Sequence, residues 1–423
     1  MRLLPRLRAA LPIRLPRAQW GKRCALAGTC VALQPADLDR LSQRILLPSL
    51  PVTDEELARA EHQDRGQRLA RQEMWAELSE AIRDADRARL GTPAGESAAM
   101  LLAFGARGDV VAVAEDALHD GALPGDEGIA ALEAMLEDHP DDYACALIVA
   151  MAHVDLGWAW RHAATLADQP PPDDWTGHFA RHFDRAEELL EPFCGIALDA
   201  PSLAAAQCAL LAALTGPDRR VADDYEDLID LDPYSPRHMR ALGLALMPAH
   251  FGSYGQLELE ARRTAARTGD IWGAGAYAWV HLDALAQDAA VLDLLDAPFF
   301  TEGLRDILQR RPDQHVANLL AAFCAVAMAP REGEAPGRAA SRATLRGCLD
   351  WILSEHLHEL HPLIWTQALH APGHYPPLPS RRALVSQGRQ AAMRAIAAHF
   401  AADIADGSSI AFSPAGLCRL PAH

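Results

Sequence analysis

Residues 231–285 read LDPYSPRHMRALGLALMPAHFGSYGQLELEARRTAARTGDIWGAGAYAWVHLDAL, and three helical patterns are packed into them. Asp232-Pro233 punctuates the first, the loop 250–255 sets off the second, and Gly269-Asp270 precedes the third. Apolar residues recur at helical spacing, and no alternating run between them offers a strand. Ser253 followed by Gln256 makes a capping box at the start of the second helix. In the third, Trp272, Ala276 and Trp279 share one face while Ala274, Ala278, His281 and Leu285 share another. A helix apolar on two faces belongs inside a packed structure, with Gly275 and Ala276 letting a neighbouring helix come close.

Working outward, the same grammar holds along the chain. Leu38, Leu41, Ile45 and Leu46 form a short apolar helical face ended by Pro48 and Pro51. Thr53 offers an N-cap, with Glu55 and Glu56 in the first turn, for a charged stretch reaching Leu90. Helix patterns follow at 98–106, 109–119, 125–139 and 143–164, then at 178–193, 203–214 and 222–229. Beyond the central stretch they occupy 304–309, 316–328, 343–360, 363–370 and 381–404. The expected organisation is a basic tail over 1–36 and an N-terminal helical cap over 37–90. A helical domain spans 91–406, with possible subdivisions near 168–174 and 330–338, and a loose tail covers 407–423. The fold class expected is all-α.

The chain has 423 residues, 50% of them hydrophobic, enough to bury a large core. No apolar run approaches the roughly 20 residues of a membrane helix. The net charge is −18, and the first 36 residues hold seven of the 39 basic residues and none of the 57 acidic ones. The acidic body should repel nucleic acid and anionic membrane surfaces. Pro5, Pro12 and Pro16 and the interspersed arginines make residues 1–36 a poor secretory signal, so a disordered tail or an over-extended start is expected. The eight cysteines, at 24, 30, 145, 194, 208, 324, 348 and 418, contain no CxxC pair. They read as free thiols of a cytoplasmic protein.

The junction around Pro233 carries a resemblance. Met239, Leu242-Gly243 and Leu246 follow Pro233 at set spacings, and Val221 and Tyr225 precede it four apart. This is similar to the tetratricopeptide pattern, in which W-x2-L-G-x2-Y marks one helix, A-x3-F the second, and a Pro closes the unit. Met239 stands for the Trp, Leu246 for the Tyr, Val221 for the Ala and Tyr225 for the Phe. Weaker echoes occur at Leu132 with Pro140 and Gly157, and at Leu304 with Pro312. The prolines are not spaced by multiples of the roughly 34-residue period, so a plain all-helical array with similar helix stops is the alternative. The resemblance, covering residues 130–329, implies helical hairpins stacked in a solenoid and a scaffold or adaptor that binds a protein or peptide.

Candidate chemistry was weighed against structural roles. Gly273, Gly275 and Ala278 spell G-x-G-x-x-A, but no strand precedes them, so a dinucleotide turn is not expected. Ser253 in FGSYG lacks the first glycine of a nucleophile elbow. His178 and His182 are four apart on a helix without the Glu of the zincin motif. Glu355, His356, His358, Glu359 and His361, followed by His370 and His374, invite a metal-enzyme reading in which His358 and His361 share a helix face and a later histidine completes the set. Histidines near a helix C-terminus favoured by the dipole are the plainer reading. The expectation is therefore no catalytic residue, cofactor or metal, with a structural domain of a larger bacterial complex as a third possibility. His250 and Tyr254, in a loop that interrupts the pattern, and Trp272 at the edge of the same surface are expected to contact a protein partner. The alternative is that Phe251 and Tyr254 fold back over the helix ends.

Overall fold

The structure is a computed structural model that describes residues 35–50, 52–166, 175–213, 221–370 and 380–421. The described elements are overwhelmingly helical. They fall into two units: one holds residues 54–238, the other the described part of 8–53 together with 239–423. The expected tail over 1–36 lies almost wholly outside the described residues, as does the 168–174 boundary.

In the first unit, Tyr143–Leu166 is the central helix. By length and composition alone it would suit a membrane, a feature the sequence reading passed over, but 83% of its apolar window is buried inside the unit. Leu147 and Ile148 meet Leu78, Ile82, Leu102, Leu190 and Leu203 in one core cluster. The sequence led us to expect a helix pair over 98–119. One helix, Ala98–His119, runs through instead, capped by Ser97 accepting from the Met100 N–H. Its Gly105 serves contact rather than a break. A Cβ there would lie 1.9 Å from the Gln63 carbonyl oxygen, and one at Gly66 would lie 2.1 Å from that of Leu102. Helix Asp54–Arg71 thus crosses Ala98–His119 backbone to backbone at two glycines. Asp86 ties three helices together, accepting from the Ser202 N–H and hydroxyl and from the Tyr143 hydroxyl.

The expected cap over 37–90 does not exist as one body. Its first part belongs to the second unit and its second part to the first. The apolar face at 38–46 is also split: helix Pro35–Ser42 stops, and Ile45–Leu46 becomes a strand. The stretch to Leu90 is two helices, Asp54–Arg71 and Trp75–Arg87, broken where Glu73 adopts φ +55°.

The second unit continues with Tyr254–Arg267, Gly269–Trp272, Gly275–Gln287, Ala297–Arg310 and Gln314–Ala322, the last extended by a π-helical turn, Phe323–Ala327. Consecutive hairpins touch through small residues. A Cβ on Gly243 would sit 1.8 Å from the Val280 carbonyl oxygen, and one on Gly303 would sit 2.6 Å from that of Ala274. The Gly273 turn, φ +58°, admits the Asp306 carboxylate, which accepts from the Ala274 N–H at 2.7 Å. The G-x-G-x-x-A run is thus a helix junction preceded by helix.

Pro336–Gly347, Pro362–Ala368 and Arg381–His399 follow, and the 330–338 loop lies within the unit rather than between units. The expected loose tail over 407–423 is mostly a β-hairpin, Ser409–Ser413 with Gly416–Leu420, and Ile45–Leu46 pairs in parallel with its first strand. In SIAFS the side chains of Ile410 and Phe412 alternate inward, and Gly416 at φ +110° turns the chain. This small sheet is the exception to the all-α expectation.

Candidate functional site

Tyr254 is the first residue of its helix, placed there because the Ser253 hydroxyl accepts from the Gln256 N–H at 3.2 Å. From that position its phenol reaches Asp288, donating to Oδ2 at 2.6 Å. The other oxygen of Asp288 accepts from the Ala290 N–H and caps the short turn Ala289–Asp293. Asp293, closing that turn, takes a bond from Arg338 Nε at 2.6 Å. Leu294 follows, 52% exposed. A helix start, a capped turn and an arginine at the head of Pro336–Gly347 therefore form one edge of the unit. Burial, then the bond and charge of Asp288, push the Tyr254 phenol up to about 12. The Arg338 guanidinium draws the Asp293 carboxyl below its usual range. The arrangement places a hydroxyl, an ion pair and an exposed apolar side chain along one edge.

Of the three residues expected to contact a partner, Tyr254 belongs to this edge. Its phenol folds onto Asp288. His250 is half-buried beside Phe251, ring centroids 6.4 Å apart, and burial lowers its imidazole pKa. Trp272 must be corrected: it is 3% exposed and meets Trp279 edge to face at 6.0 Å. Its indole ends the short helix Gly269–Trp272 and closes the interior against the next helix, Gly275–Gln287. Sequence reasoning missed Asp288, Asp293 and Arg338. Asp288 alone had a local signal, as a cap ahead of Ala289-Ala290.

The histidine-rich segment also departs from expectation. His356 ends a π-helical turn, Ile352–His356, residues 357–361 are non-helical, and Pro362 begins the next helix rather than ending one. Proline at the first helical position loses no hydrogen bond, which is why the break falls before it. His358 and His361 therefore share no helix face, and His374 lies outside the described residues. The backbone here is clamped. Gln314 Oε1 accepts from the N–H groups of His358 and Glu359 while its amide donates to the His356 carbonyl. Asn318, fully buried, donates to the Gln314 and Glu359 carbonyls and accepts from the His361 N–H and the Trp365 indole.

Among the described residues, His139, Asp142 and Cys145 bring potential ligand atoms within 4.8 Å of one another. The Asp142 carboxylate is already engaged: Ser79, Arg83 and the Ala144 N–H all bond it. The buried Cys145 thiol is pushed up to about 12 by burial and by Asp142. That is the chemistry of a helix cap, with an arginine where a cation would have to sit.

No family model, curated protein or solved structure matches the chain.

Proposed function

We propose that this protein is a non-catalytic scaffold of tetratricopeptide-like type, binding a protein or peptide partner in the cytoplasm through the edge built on Tyr254. The observation that carries the reading is the even spacing of alternate helices. With the four-residue helix Gly269–Trp272 set aside, Pro236, Gly275 and Gln314 start one series at steps of 39 residues, and Tyr254, Ala297 and Pro336 start the interleaved one at steps of 43 and 39. The interval is close to the roughly 34–47 residues of helical-hairpin repeats. Contacts within the series support it: Gly243 meets Val280, Arg240 pairs with Asp283 at 2.8 Å, and Phe300 packs on Phe323 at 5.8 Å. In such an array each hairpin buries its apolar face on the next, and the exposed edge is left for recognition. The free described cysteines and acidic charge are compatible with a reducing compartment and with a partner other than nucleic acid.

Affinity capture of the full chain followed by mass spectrometry tests this. One protein should be enriched by the wild type and lost by Tyr254→Ala, with the variant's melting temperature nearly unchanged. Retention of the same partner by Tyr254→Ala contradicts the placement at this edge.

A further inference from the structure

His178 and His182 were set aside in the sequence because no zincin glutamate accompanies them. The fold supplies what the local motif lacks, from helices distant in sequence. Within the first unit, helix Trp175–Leu190 lies along Tyr143–Leu166 and brings His182 against His153. Their Nδ1 atoms are 2.9 Å apart. On its other side His153 presents Nε2 to Glu133 Oε1 at 3.3 Å, and Arg185 Nε donates to that same oxygen at 2.7 Å.

The proton inventory follows from these partners. A carboxylate accepts, so His153 carries its proton on Nε2 and its Nδ1 holds a lone pair. His182 Nδ1–H then donates into that lone pair, and a single proton lies between the two rings. Both rings are held neutral, mainly by burial, which lowers the His153 pKa and brings that of His182 down to about 4. Move the His182 proton to its own Nε2, the other neutral tautomer, and two imidazole lone pairs converge on the same point.

We infer that His153 and His182 form a binding site for a divalent transition-metal ion, with Glu133 orienting His153 from behind. A carboxylate on the far nitrogen of a ligating histidine is the usual supporting contact, fixing the tautomer and raising basicity. The 2.9 Å separation is that of the hydrogen bond, and with metal–nitrogen bonds of about 2.0–2.1 Å it is short enough for one ion to take both nitrogens. Imidazole ligands suit nickel, copper and zinc. His178, one turn before His182, stacks on Trp160 at 3.9 Å and its Nδ1 lies 2.8 Å from an Arg181 nitrogen, so it would have to leave both to become a third ligand. The positive charge of Arg185 is offset by Glu133 and by Glu188, which it meets at 2.9 Å.

The test uses the untagged full chain titrated with Ni²⁺ and separately with Zn²⁺ by calorimetry. One Ni²⁺ should bind per chain. His182→Gln, which keeps a polar side chain, and His153→Ala should each weaken Ni²⁺ at least about 100-fold. Glu133→Gln should weaken it about 10–100-fold, as loss of a supporting carboxylate does. His358→Ala with His361→Ala should leave it unchanged. X-ray absorption of the wild-type nickel complex counts imidazole ligands without any variant, and two or three are expected. Absence of binding tighter than about 100 µM, unaltered affinity in His182→Gln, or a nickel spectrum without imidazole would each overturn the site and leave a hydrogen-bonded chain only.

Discussion

Trp272 and Tyr254 come from the same short stretch of sequence, yet one closes the interior of the helical array and the other stands on its turn edge. The interior is held by contacts that admit no substitute: backbone against Gly243, an indole against Trp279, and the four hydrogen bonds of Asn318. The edge is held by polar pairs that sit partly in water, Tyr254 on Asp288 and Arg338 on Asp293. The lesson is that an aromatic residue beside a glycine turn carries no address of its own. Its place is decided by what packs on it: Trp279 covers the Trp272 indole, whereas the Tyr254 phenol meets the Asp288 carboxylate.

If that division is right, interior substitutions should cost far more stability than edge substitutions. The largest effect is expected from Asn318→Leu, which strands the His361 N–H, the Trp365 indole N–H and the Glu359 carbonyl. Each buried group left without a partner costs about 1–3 kcal/mol. Denaturant titration should show a variant that is barely folded in this unit, and a near-wild-type midpoint would break the claim that Asn318 holds the histidine-rich segment. Trp272→Ala comes next, at roughly 3–5 kcal/mol for a buried indole. A loss below about 1 kcal/mol would return Trp272 to the surface and erase the contrast with Tyr254. Gly243→Ala ranks third. Its Cβ meets the Val280 backbone, which must move, and overpacking of this kind costs about 1–3 kcal/mol.

The edge gives a smaller effect with a distinctive pH signature. Tyr254→Phe removes one partly exposed hydrogen bond, worth about 0.5–1.5 kcal/mol near neutral pH. The folded phenol titrates at about 12, above the ordinary value of 10.0. The folded state therefore holds the proton more tightly than the unfolded state. Its contribution is complete below pH 10 and disappears as pH rises through 12. Wild type should lose stability more steeply than Tyr254→Phe across that window. Parallel curves would show that the bond to Asp288 contributes nothing.

How much of this was legible beforehand follows the range of the interactions. The Ser253 cap, the two apolar faces of 275–287 and the helix stops at Pro140 and Pro233 are local, and the sequence displays them. The interruption expected between 106 and 109 does not occur, and Gly105 just before it is a contact position: a glycine in a helix signals either weakness or close contact, and only the Gln63 carbonyl across from it decides which. The hairpin at 409–420 hid in a five-residue alternation too short to count against the surrounding helical pattern. Pro362 was read as a stop when it is a start, since proline suits both helix flanks. At the edge, Tyr254 could be named from its loop, whereas Arg338 lies far along the chain and nothing local points to Asp293. The histidines illustrate the same rule: the crowded run at 356–361 is bound up in backbone clamps, while His153 and His182 meet without any shared motif.

The most direct measurement is site-specific photocrosslinking. A photoreactive amino acid replaces Leu294 on the edge in one sample and Leu259, another exposed position of the same unit, in a second. One discrete crosslinked partner is expected from position 294, abolished when Tyr254→Ala is added, and none from 259. Crosslinks of equal yield from both positions, or a product at 294 that persists without Tyr254, would contradict a recognition edge built on that residue.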